Sequence, residues 1–192
     1  MNTEYCFNLY NSLAPSGTVI ALKKLIAIPH STPAIICIGS DLSVGDSLGP
    51  LVGTLLKEKL RLTNCYIYGT LQKPITAHEI RYIDKFVRST HLNSPLIAID
   101  AAVGAAGDIG LIKIAGHGVK PGSGTNKKLG KVGDISILGI VAEKSVFNFS
   151  ILSSTRLNIV YRMANIIAEG VATYICDDIA NNALTDFDQK QA

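Results

Sequence analysis

The chain has 192 residues, 47% of them hydrophobic and 17% charged, with a formal net charge of +3. One domain of ~100–200 residues accommodates that length, and the apolar content excludes intrinsic disorder. Four cysteines without ligand-like spacing exclude a disulfide scaffold, while the weak charge, the 6% aromatic content and the lack of Trp leave no footing for a nucleic-acid surface.

The first 15 residues read as an irregular polar arm, without the positive start and apolar stretch of a secretory signal. Gly17–Ile28 places apolar residues on one helical face. After the breaker Ser31-Thr32-Pro33, the run Ala34–Ile38 (AIICI) marks a strand covered on both faces. A Gly-, Ser- and Asp-rich loop from Gly39 to Pro50 leads into a helix over Leu51–Leu60. Cys65–Tyr68 reads as a second strand and Ala77–Thr90 as a helix with Ile80, Ile83, Phe86 and Val87 on one face.

The third strand, Leu96–Ile99, runs into Asp100. Ile109–Ile114 (IGLIKI) alternates as an edge strand does. A Gly- and Lys-rich loop spans Gly116–Gly133, Ile135–Val141 is a fifth strand, and Thr155–Ile175 has the apolar spacing of a closing helix. Buried strands alternating with helices predict a three-layer α/β/α domain over 34–176. Residues 1–33 then form an arm and first helix packed on that domain, and 177–192 a polar tail. No stretch of about 18 apolar residues occurs, so no membrane span is expected. Reduced thiols at Cys6, Cys37, Cys65 and Cys176 fit a cytosolic protein.

In open α/β sheets, ligands bind beyond the carboxyl ends of the strands. Three features lie there. The loop Gly39–Pro50 lacks the spacing of a phosphate loop and carries Asp41 and Asp46, which would repel phosphate; Asp46 also suits a helix cap. Asp100 ends an apolar strand and emerges at the sheet's carboxyl edge. Two such carboxylates in one crevice can share a proton, or can hold a metal with a third ligand; alternatively Asp100 caps its own turn. The third feature, Gly116–Lys128, offers a nest of backbone N–H groups around Gly122, Ser123 and Gly124 for an oxyanion, with His117 or Lys120 within reach of the crevice. His30 and His91 read as surface residues, and His78 as a helix-start residue.

The blocks IGSDLSVGDSLGPLVG, YGTLQKP, IAIDAAVG, GHGVKPGSGTNKKLGKVGDISILGIV and STRLNIVYRMANIIAEG resemble the YyaC-type sporulation proteins, a spore-protease family. More distantly they resemble the spore germination protease and the hydrogenase maturation endopeptidases. The resemblance covers Pro33 to Ile175. It implies a phosphorylase/hydrolase-like mixed five-stranded sheet of order 2-1-3-5-4 with strand four antiparallel. It also implies catalytic roles for Asp46 and Asp100, with Lys120, Gly122, Ser123 and Gly124 binding substrate or oxyanion. Where the germination protease has a His before Pro-Gly-Ser-Gly, this chain has Lys120; the nearest His is His117. No cofactor is therefore expected, and a divalent metal on Asp46, Asp100 and His117 is the alternative. The implied activity is peptide-bond hydrolysis in the cytoplasm of a sporulating cell or spore, on a protein or peptide substrate. A binding or regulatory protein that keeps the protease fold without catalysis is the rival.

Overall fold

Short apolar runs become parallel strands here because both of their faces are covered, and the amphipathic stretches between them supply the cover. The computed structural model describes residues 3–26, 32–76, 78–121, 131–144 and 152–189. Its strands are β1 (Glu4–Asn8), β2 (Ala34–Cys37), β3 (Tyr66–Tyr68), β4 (Leu96–Gly104), β5 (Leu111–Ala115) and β6 (Ile135–Glu143). The helices are α1 (Ala14–Leu25), α2 (Leu48–Lys59), α3 (Ile80–Thr90) and α4 (Leu157–Gln189).

The strands form one six-stranded sheet in the order β1-β5-β6-β4-β2-β3. β2, β3, β4 and β6 pair in parallel, and β5 runs antiparallel to β6. The five expected strands therefore take the expected order, with an additional strand outside them. That strand is β1, which pairs antiparallel with β5 from Glu4↔Ala115 to Asn8↔Leu111. Its five residues alternate exposed and half-buried, too short and too polar a pattern to stand out from an arm. Because β1 covers it, the alternating strand β5 is interior and not an edge.

Helices α1, α2 and α4 cover one face over Ile35, Cys37, Ile97, Ile99, Ile112, Ile114 and Ile137. The other face, with Ala34, Ile36, Leu96 and Ala98, is covered by Ile80 and Val87 of α3 and by Val119 and Val132. The last helix continues to Gln189 through the segment that reads as a polar tail. The start of that segment is tied to α1 by the Lys23–Asp177 ion pair at 2.8 Å. Among the described residues, no helix is long and apolar enough to cross a membrane.

Candidate active site

β2 ends at Cys37, opposite Ile99 of β4, while β4 and β6 stay paired from Ile97↔Ile135 to Gly104↔Glu143. Asp100 is thus the first β4 residue beyond its β2 neighbour, at a step in the sheet. It follows Leu96 and Ala98 on the α3 face, because side chains alternate along a strand.

The loop after β2 is pressed into this step. Gly39 has φ +140°, and a Cβ there would lie 2.0 Å from the Asp46 carbonyl oxygen. A Cβ at Gly49 would meet the Ile38 carbonyl oxygen at 2.0 Å. Only glycine lets the start of α2 approach the end of β2 so closely. The Ser40 N–H donates to the Asp46 carbonyl at 3.1 Å and closes the loop. Asp46 itself lies in a 3₁₀ turn, Gly45–Ser47, directly before α2. It does not cap α2: Ser47 holds the N-cap position, with no side-chain cap bond, and its Oγ donates to the Val44 carbonyl at 2.7 Å.

The loop thus brings Asp46 close enough to β4 for its charge to act on Asp100. Burial pushes the Asp100 carboxyl well above the usual carboxylate range, and the charge of Asp46 pushes it further. Against these acts the Ala101 N–H, which donates to Asp100 Oδ1 at 2.8 Å. Burial also raises Asp46, opposed by the Ser40 N–H. Asp100 is 7% exposed and Asp46 only half-buried. Burial thus raises both carboxyl groups, and Asp100, the deeper of the two, is raised further by the charge of its neighbour.

The Gly-rich loop reaches the same face by its stem. Val119 and Val132 bridge one another, and a Cβ at Gly133 would touch the Ala98 Cβ at 2.9 Å. The stem therefore crosses β4 two residues before Asp100. Lys120 follows Val119 and is exposed; Gly122, Ser123 and Gly124 lie outside the described residues. His117 is part-buried, its Nδ1 3.3 Å from the Gly118 carbonyl oxygen. Antiparallel β5 delivers it toward the amino ends of the parallel strands, since Ala115 pairs with Ser136 and Ser136 with Ala98. Among the described residues, no three of His, Cys, Asp and Glu stand close enough to hold a metal ion. The set Asp46, Asp100 and His117 is thus not assembled.

His78 lies in the turn before α3, exposed, its N–H on Thr76 Oγ1 at 3.3 Å, as a helix-start residue should. His91 is not a plain surface residue. It stacks on Tyr66 with ring centres 3.8 Å apart and meets Tyr68 Oη at 2.7 Å. His30 lies outside the described residues. One residue of the crevice loop escaped the reading of the sequence: Ser43, 6% exposed, whose Oγ has no hydrogen-bond partner among the described residues. Its burial comes from the folded loop, so no pattern in the sequence could reveal it.

Comparison with known proteins agrees with this geometry at the level of the fold. The crystal structure of a [NiFe] hydrogenase maturation protease, HycI from Thermococcus kodakarensis KOD1, superposes with a TM-score of 0.53 at 18% identity, covering 80% of this chain and 97% of that one. An uncharacterized protein, YyaC from Bacillus subtilis (strain 168), is 43% identical over 140 residues, which is 72% of this chain and 67% of that protein. Residues 8–170 match the model of the family described as "Protein of unknown function (DUF1256)". The chain belongs to that family.

Proposed function

We propose that the protein is a peptide-bond hydrolase whose catalytic pair is Asp46 and Asp100. The observation that carries this reading is the asymmetry of the pair: Asp100 is buried at the end of its apolar strand and raised well above the usual carboxylate range by burial and by the charge of Asp46, while Asp46 is only half-buried. In this reading Asp46 accepts a proton from water as the water oxygen attacks the scissile carbonyl. Asp100 gives its proton to the developing oxyanion; on collapse of the resulting diol the C–N bond breaks, the proton held by Asp46 passes to the leaving amine, and one diol hydroxyl returns its proton to Asp100. General acid–base groups of this kind contribute roughly 10²–10⁴-fold each. On the resemblance of the motifs alone, we assign positive charge to Lys120 and oxyanion binding to Gly122, Ser123 and Gly124. The protease-like fold shared with the hydrogenase maturation enzyme supports the class of reaction, and the resemblance of the motifs makes spore proteins the first substrates to test.

The test is cleavage of small acid-soluble spore proteins by wild type, Asp46→Asn and Asp100→Asn. Each substitution should lower kcat by about 10²–10⁴-fold. Unchanged cleavage by both variants would overturn the dyad. A wild type that binds a spore protein but cleaves none identifies the non-catalytic alternative, which Lys120 in place of a His favours.

A further inference from the structure

A second site lies at the same edge of the sheet but on the opposite face. Between the β1–α1 turn and the first turns of α4 there is a cavity of about 420 Å³, lined by residues that include Leu9, Tyr10, Pro15, Tyr161, Arg162 and Asn165. One wall is preset by local hydrogen bonds. Asn8 Oδ1 accepts from the Tyr10 N–H and Asn11 Oδ1 from the Leu13 N–H, each at 2.9 Å. Such Asx bonds fix a turn without help from the rest of the fold. The turn is then pinned to the sheet: the Leu9 N–H donates to the Gly110 carbonyl, and the Gly110 N–H to the Ile140 carbonyl, both at 2.8 Å.

The cavity contains one cation. Arg162 Cζ lies 4.8 Å from the centre of the Tyr10 ring, and among the described residues no carboxylate pairs with it. A guanidinium held over an aromatic face keeps donors free along its edge, in the fork geometry that matches a carboxylate. The Asn165 amide N–H is already given to the Tyr161 carbonyl at 2.8 Å, so Arg162 is the free charged donor. Tyr10 is 70% exposed and Tyr161 52%, which leaves two large rings in water beside that donor. The chemistry asks for a ligand with an apolar body and a carboxylate.

We propose that this cavity binds a peptide segment that places a carboxylate beside an apolar side chain, the carboxylate pairing with Arg162. The inference rests on the peptidase reading only in taking that peptide to be part of a substrate. Three strand spacings separate β1 from β4, roughly 14 Å, so the cavity is distinct from the aspartate crevice.

The test is fluorescence anisotropy in the Asp100→Asn background, with the probe confirmed intact by mass spectrometry after each titration. The probes are fluorescein-labelled octapeptides: a C-terminally amidated one with a Phe-Glu pair, its Phe-Gln and Phe-Lys counterparts, and the Phe-Gln peptide with a free terminal carboxylate. The Phe-Glu peptide or the free-carboxylate peptide should bind about tenfold more tightly than the amidated Phe-Gln peptide. Which of the two gains tells a side-chain carboxylate from a terminal one. The advantage should vanish in Arg162→Gln, and Arg162→Glu should come to prefer the Phe-Lys peptide. Equal binding of all probes, or an advantage retained by Arg162→Gln, overturns the proposal. Hydrolysis plays no part in this measurement, so its failure leaves the dyad standing. Unchanged cleavage by the aspartate variants, in turn, leaves the cavity standing.

Discussion

The two faces of the sheet are covered to different depths, and the thinner cover is the one that carries a carboxyl group. Under α1, α2 and α4, β4 presents Ile97 and Ile99 to a broad apolar layer with Leu48, Val52, Met163 and Ile167. Under α3 the same strand presents Leu96 and Ala98 to a smaller cluster around Ile80, Val87 and Val119. The next residue on that face is Asp100, at the point where β2 has stopped. A carboxyl group is tolerated at the rim of the smaller layer, where a backbone N–H and a crevice are at hand; within the larger one it would have neither. One face carries the larger apolar layer, and the rim of the other carries the proposed site.

This contrast can be broken by substitution. Ile137→Ala, in the larger layer and fully buried, should cost about 2–5 kcal/mol in urea unfolding. Val87→Ala in the α3 cluster removes fewer atoms beside a thinner cover and should cost roughly 1–2 kcal/mol. Equal losses would dissolve the distinction between the faces.

A smaller effect sharpens it. Burial first, and the Asp46 charge second, raise the folded-state pKa of Asp100. Such a group contributes stability that is fully present below the ordinary carboxyl pKa of about 3.9 and is lost as pH rises through its raised folded value. Asp100→Asn abolishes that loss. The variant should be more stable than wild type at pH 7 by on the order of 1 kcal/mol, and the difference should vanish near pH 3. Thermal unfolding across that range checks the sign; a variant less stable at pH 7 would mean that Asp100 is structural.

The smallest effect is expected on the outer surface of the helical layer. Lys59 of α2 pairs with Glu169 of α4, both side chains more than a third exposed. Lys59→Ala should change stability by less than about 1 kcal/mol, measured by the same unfolding. A larger loss would make the helical cover depend on charge as well as on apolar packing.

Strands β2, β4 and β6 were legible because a parallel strand with both faces covered leaves a continuous apolar run. Asp100 was legible for the same reason, as the polar residue that interrupts such a run. β1 was not legible, since the five residues EYCFN become a strand only by pairing with β5. The interior place of β5 was hidden for that reason too. His91 passed for a surface residue because its partners, Tyr66 and Tyr68, come from a strand more than twenty residues earlier.

The sequence by itself determined the class of fold, the run of buried strands and Asp100 at the end of one of them, since all three are written in local hydrophobicity and spacing; Asp46 stood out only through the resemblance of its motif. Tertiary structure decided how deep each carboxyl group sits and which backbone N–H it meets, and so how far burial raises it. It also brought Tyr10 and Arg162 together across about 150 residues of chain. Adjacency in space, set by strand order and helix packing, has no local trace in a sequence.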